Sequence, residues 1–183
     1  MPAPEEPLHG GHNATEVVRV GDTVRRARDS NAAFAARVLR HLESAGYPYA
    51  PRHLGIDERG RDVLGFITGA TTDHPAQRAP GAYARGGRML RELHEATAGH
   101  MLAAGRECVV HGDPGPFNTV FRDGLPVAFI DWSSCRPGDR LDPALPAARR
   151  RHARAAIGWA VSGRELVLRH RTFLLAVLRG VGD

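Results

Sequence analysis

Asp113, Asn118 and Asp131 stand out because three oxygen-bearing side chains fall within one short block, ECVVHGDPGPFNTVFRDGLPVAFIDW, residues 107–132. Glu107–Val110 reads as a short strand running into His111-Gly112-Asp113. A Pro/Gly loop leads to Asn118, and two strands then flank Asp123-Gly124. Asp-Gly between alternating apolar runs is a strong hairpin signal, because a type I′ turn needs positive φ at both central positions. With a two-residue loop, Arg122 faces Leu125, so Asn118 is expected opposite Phe129, with Asp131 two residues further along the same face. Diagonal neighbours of this kind lie about 7–8 Å apart. A bulge at Pro126 would shift that register. Asp113 enters from the preceding strand. Hard oxygen ligands, with no thiolate or imidazole beside them, suit Mg²⁺ bound partly through a substrate phosphate.

The elements that must position this block can be read upstream. EVVRV-GD-TVRR forms a hairpin around Gly21-Asp22, with Gly first as a type II′ turn requires. Around that turn Arg25 faces Val18 and shares its face with Val18 and Val20. Arg26 lies with Arg19 on the other, wet face. Asp29-Ser30-Asn31 offers N-caps for a helix over 32–45, with Phe34, Val38, Leu39 and Leu42 on one side and Gly46 closing it. HLGIDERGRDVLGFI is a second hairpin turning at Glu58-Arg59-Gly60. Residues 68–81 form a linker rich in Thr, Gly, Pro and Asp. A helix over 82–98 follows, burying Leu90 and Leu93. Two more helices are expected at 143–161 and 163–179, the second amphipathic. The first 13 residues read as a loose arm. The domain reading is therefore an N-terminal β-rich lobe over 1–67, a hinge over 68–81 and a C-terminal lobe over 82–183.

Length and composition narrow the function classes. At 183 residues, 42% hydrophobic and 25% charged, the chain is an ordinary globular domain, or two small lobes sharing a cleft. No apolar run is long enough to span a membrane. The N-terminus lacks the apolar region of a secretory signal, and two cysteines, Cys108 and Cys135, make no disulfide framework, so the chain reads as cytoplasmic. All 25 basic residues are Arg, so any step that calls for lysine falls to arginine. Residues 1–139 carry 16 Arg against 17 acids, whereas 140–183 carry 9 Arg against 3 acids. The positive charge belongs to the tail. Metal-hydrolase and serine-nucleophile readings find no His-Glu-x-x-His helix, no cysteine pair and no G-x-S-x-G elbow beside Ser133-Ser134.

His111-Gly112-Asp113-x4-Asn118, with Ile130-Asp131-Trp132 closing the hairpin, resembles the aminoglycoside phosphotransferase and choline kinase-like family of small-molecule kinases. The resemblance extends to LHGGHNATEVVRVGDTVRR, APRHLGIDERGRDVLGFITG and RMLRELHEATAG, covering roughly residues 8–140. It implies an α+β, protein-kinase-like fold: a small β-rich N-terminal lobe and a shortened, mainly helical C-terminal lobe. It also implies ATP and Mg²⁺ as cofactors and a small-molecule hydroxyl acceptor as partner. Asp113 would be the catalytic carboxylate that orients the hydroxyl and accepts its proton. Asn118 and Asp131 would hold Mg²⁺ on the phosphates. His111 would brace the catalytic loop rather than act as a base. Arg25 would be the phosphate-pairing cation, Gly10 and Gly11 would lie over the phosphates, and Phe66 and Ile67 would line the adenine.

Two features depart from that pattern. The helix glutamate that usually pairs with the strand cation falls near Ala35, so the cation would need another carboxylate, such as Asp131. The chain is also short, and a tail of this charge argues against a polycationic aminoglycoside as acceptor. Three function readings follow: an ATP-dependent O-phosphotransferase, a degenerate kinase-like protein that binds nucleotide without transfer, and a nucleic-acid binder using Arg149, Arg150, Arg151 and Arg154. The absence of interleaved aromatic residues argues against the last. Sequence leaves the oligomeric state open.

Overall fold

The computed structural model describes residues 4–8, 17–72 and 77–140. The first half is built on a five-stranded antiparallel sheet in the order β1-β2-β3-β5-β4. Its strands are β1 (Glu6–Pro7), β2 (Val17–Val20), β3 (Thr23–Arg26), β4 (His53–Ile56) and β5 (Asp62–Gly65). The β2–β3 register pairs Val18 with Arg25 and Val17 with Arg26, as the Gly21-Asp22 turn dictates. Gly21 has φ +59°, while Asp22 is not among the positive-φ residues, the signature of type II′. Glu6–Pro7, expected within a loose arm, instead adds an edge strand to β2. Glu5 anchors it by ion pairs to Arg59 and Arg61 at the β4–β5 turn.

Helix α1 (Ala32–Ser44) packs on this sheet through Val38, Leu39 and Leu42, each no more than 3% exposed. Its apolar stripe recurs at helical spacing, so one face is buried and the other is wet. Helix α2 (Ala82–Thr97) buries Met89 and Leu93, with Leu90 half-buried against the same core. This core runs through both halves, joining α1 to Val109, Phe129, Trp132 and Cys135.

Two small sheets complete the described second half. β6 (Cys108–Val110) pairs with β9 (Arg136–Gly138), and β7 (Thr119–Arg122) with β8 (Leu125–Phe129). Short 3₁₀ turns at Met101–Ala103, Pro116–Asn118 and Trp132–Ser134 connect them. The helices expected at 143–161 and 163–179 lie outside the described residues, as do Gly10 and Gly11. No described helix is long and apolar enough to cross a membrane. Cys108 and Cys135 are free and buried, and burial pushes their thiols up to about 11 and about 12, so neither is a reactive thiolate near neutral pH.

Candidate active site

The β7–β8 hairpin turns at Asp123 (φ +52°) and Gly124 (φ +73°), the two positive values of a type I′ turn. Arg122 pairs with Leu125 and Phe121 with Pro126, but Val120 then pairs with Ala128 and Thr119 with Phe129. A bulge inserts one residue after Pro126, which has no N–H to give the ladder. The expected Asn118–Phe129 pairing is therefore corrected by one residue. Asn118 lies across from Ile130, whose N–H donates to the Asn118 carbonyl at 2.8 Å.

Asp113 and Asn118 meet directly. The Asn118 Nδ2 donates to the Asp113 backbone carbonyl at 3.0 Å and to its carboxylate Oδ2 at 3.1 Å. This spends the amide's donors on the loop, and its Oδ1 accepts no hydrogen bond among the described residues. His111 is 1% exposed, with Trp132 packed edge-on at 4.6 Å. Its Nε2 bonds the Ile130 carbonyl at 3.1 Å and its Nδ1 accepts the Asp113 N–H at 3.3 Å. Those two bonds require the Nε2–H tautomer and join the loop to the strand that ends at Asp131.

Gly112 explains the middle of that motif. Its φ is +85°, and a Cβ there would lie 2.2 Å from the Ser134 carbonyl oxygen. Only glycine lets the loop lie this close to the Trp132–Ser134 turn.

Asp131 itself sits at φ +57°, capping that turn: its Oδ1 accepts from the Ser133 hydroxyl at 2.7 Å and from the Ser133 N–H at 3.4 Å. Arg26 Nη2 reaches the same oxygen at 2.8 Å. Burial pushes the carboxyl up, but Arg26 and the Ser133 donors outweigh it and hold the group below the usual carboxylate range. Asp131 is thus ionised at neutral pH, and its Oδ2 accepts no hydrogen bond among the described residues. Asp113, Asn118 and Asp131 offer oxygens only, a donor set that fits Mg²⁺.

The structure does not bring Arg25 to this cluster. Arg25 lies against Asp57 at 3.6 Å and donates to Thr23, on the opposite face of the sheet from Arg26. The register was legible but the inner face was not. Val17 and Val24 accompany Arg26 as Val18 and Val20 accompany Arg25, and every residue of β2 and β3 is half-buried. The cation beside Asp131 is Arg26. Phe66 is partly buried where the sheet leads into the linker, with the Arg19 guanidinium 4.0 Å above its ring, and Ile67 follows, also half-buried.

Sequence reasoning also missed Asn31. Read as an N-cap, it makes no side-chain cap bond. Its Nδ2 instead donates to the carbonyls of Ser133 at 2.9 Å and Cys135 at 2.8 Å, tying the start of α1 to the segment that carries Asp131. Position before a helix was the available signal, and it pointed to the commoner use of asparagine.

Residues 78–142 match the model of the phosphotransferase enzyme family. The chain is 38% identical over 143 residues to the trifolitoxin immunity protein of Rhizobium leguminosarum bv. trifolii, a match covering 69% of this chain and 54% of that protein. The chain thus spans about half the length of that curated relative. Among solved structures, a choline/ethanolamine kinase family protein from Mesorhizobium loti superposes with a TM-score of 0.53 and 27% identity, over 75% of this chain and 60% of that one. An ADP-bound aminoglycoside phosphotransferase, APH(2'')-Ib, gives 0.54 at 12% identity over 75% and 68%, a likeness of fold alone. The segment that holds Asp113, Asn118 and Asp131 lies within the residues that match the phosphotransferase enzyme family, in a fold similar to those of the choline/ethanolamine kinase family protein and the aminoglycoside phosphotransferase.

Proposed function

We propose that the chain is an ATP-dependent O-phosphotransferase acting on a hydroxyl of a small molecule. The observation that supports this reading is the direct pairing of Asn118 with Asp113, next to the strand end at Ile130 that leads into Asp131 and its Arg26 partner. Asp113 orients the acceptor hydroxyl and takes its proton as the oxygen attacks phosphorus. Asn118 Oδ1 and Asp131 hold Mg²⁺, and Arg26 pairs with phosphate oxygens, a task its forked guanidinium suits. Bound MgATP supplies the phosphoryl group and spreads its developing charge. His111 keeps Asp113 in place through its two hydrogen bonds. Phe66 and Ile67 line the base.

Transfer should fall by at least about a thousandfold in Asp113→Asn, with MgATP affinity kept within about threefold. Turnover unchanged in that variant would remove Asp113 from its role.

The 38% identity to a trifolitoxin immunity protein favours a protective use of the same chemistry, in which the acceptor hydroxyl belongs to a toxin. Protection of trifolitoxin-sensitive cells by the chain, lost in Asp113→Asn, would support that use. Protection that survives the substitution would separate immunity from transfer.

A further inference from the structure

The inner face of α1 offers Arg26 no acid. Ala32, Ala35, Ala36 and Leu39 border a cavity of ≈ 40 Å³ whose other walls include Arg26, His53, Asp62 and Asp131. Asp62 stands directly opposite Arg26 on the β3–β5 ladder. Residues so paired have Cβ atoms about 4.5–5.5 Å apart on one face of the sheet. Asp62 is 8% exposed. Its Oδ1 accepts from Arg28 and from His53 Nε2, the latter at 3.0 Å, while its Oδ2 accepts nothing among the described residues. The His53 side chain is 4% exposed, and its Nδ1 also lacks a partner among the described residues. With Nε2–H donated to Asp62, that Nδ1 is an acceptor. A buried imidazole nitrogen with unmet capacity thus lines the wall across from Arg26, beside the second oxygen of Asp62. Leaving such a nitrogen unpaired is costly.

We propose that Asp62 is the positioning residue for Arg26, doing from strand β5 what α1 cannot do. The proposal rests on the phosphotransferase reading and deepens it. In the structure Arg26 is committed to Asp131 Oδ1. Asp131 cannot serve a second cation at full strength while it holds the first, since both draw on one charge. Once Asp131 is engaged elsewhere, Arg26 turns to Asp62 Oδ2, directly or through water in the cavity, whose ≈ 40 Å³ is large enough to hold it. Arg28 and His53 fix Asp62 so that the guanidinium is aimed at phosphate rather than left free. The carboxylate partner of the strand cation then comes from the neighbouring strand, so position 35 needs no acid.

Stability cycles on the full chain test this without nucleotide. Arg26→Met, Asp62→Asn and the double variant are unfolded in urea, each with Asp131 intact and with Asp131→Asn. The Arg26–Asp62 coupling is expected to be small with Asp131 intact and to grow to about tenfold in the unfolding equilibrium constant with Asp131→Asn. A coupling that is absent in both backgrounds, or equal in both, overturns the proposal. Should Asp62→Asn fail to fold, the Arg26 side-chain resonances of Asp131→Asn decide. Nuclear Overhauser contacts from the guanidinium to His53 support the proposal, and a freely rotating guanidinium without them overturns it.

A second arm reads the site. MgATP affinity should fall about tenfold in Asp62→Asn, recover in Asp62→Glu, and show no such fall when Arg26→Met is already present. Wild-type affinity in Asp62→Asn overturns the positioning role while leaving the phosphotransferase reading intact. Failure of the wild-type chain to bind MgATP overturns that reading instead, and the stability cycles still judge Asp62.

Discussion

Arg26 and Asp131 hold each other at 2.8 Å from opposite halves of the chain, one on β3 and one at the end of the β7–β8 hairpin. In a chain without lysine, that ion pair is where the strand cation meets the carboxylate proposed for the metal. Arg26→Ala should weaken MgATP binding at least about tenfold, and Arg25→Ala by less than about twofold, as titration calorimetry would show. The reverse order would restore the role to Arg25. Gly112 gives a second test at this scale, one of stability. Gly112→Ala meets both a positive φ and the Ser134 carbonyl, and should cost about 2–4 kcal/mol in urea denaturation. Asp113, Asn118 and Asp131 were singled out by their types and spacing, and the structure joins Asn118 to Asp113 by hydrogen bonds. The choice between Arg25 and Arg26 was not legible, because two half-buried sheet faces carried equally apolar neighbours and only the packing of α1 distinguishes them.

At the scale of elements, turn chemistry was read more securely than register. The Gly21-Asp22 and Asp123-Gly124 turns have the φ signs their residues call for, and α1 and α2 occupy the spans their apolar periodicity predicts. The one-residue shift in β7–β8 came from Pro126, whose missing N–H a pairing rule does not count. The shift puts the Asn118 carbonyl on the Ile130 N–H. Asn31 shows the opposite case, an element terminus whose side chain serves another element. Asn31→Ala removes two hydrogen bonds between α1 and the Ser133–Cys135 segment, and should cost about 1–3 kcal/mol of stability. It should also loosen MgATP binding, since Asp131 lies on that segment. Asn31→Ala at wild-type stability would show that the tie contributes nothing.

For the whole molecule, one core spans both halves, so α1, α2 and the site segment stand or fall together. His94 on α2 is 5% exposed, and burial, with Arg140 adding to it, lowers its pKa from 6.5 to about 4. Below pH 6.5 the unfolded chain takes up a proton that the folded chain refuses. The stability is therefore complete above 6.5 and is lost as pH falls toward 4, by about 3 kcal/mol in all. His94→Leu should flatten that slope in urea titrations between pH 7 and 5; an unchanged slope would place the titration elsewhere. The fold was legible at this scale because sheet, linker and helix follow one another in sequence, and a continuous core then forces the lobes together. The central claim is a magnesium-dependent nucleotide site built on Asp131, and its most direct test is calorimetric titration of the full chain with MgATP, with ATP free of magnesium, and with MgATP on Asp131→Ala. The account predicts binding that needs magnesium and that Asp131→Ala loses. Absence of binding in the wild-type chain, or binding that Asp131→Ala retains undiminished, would contradict it.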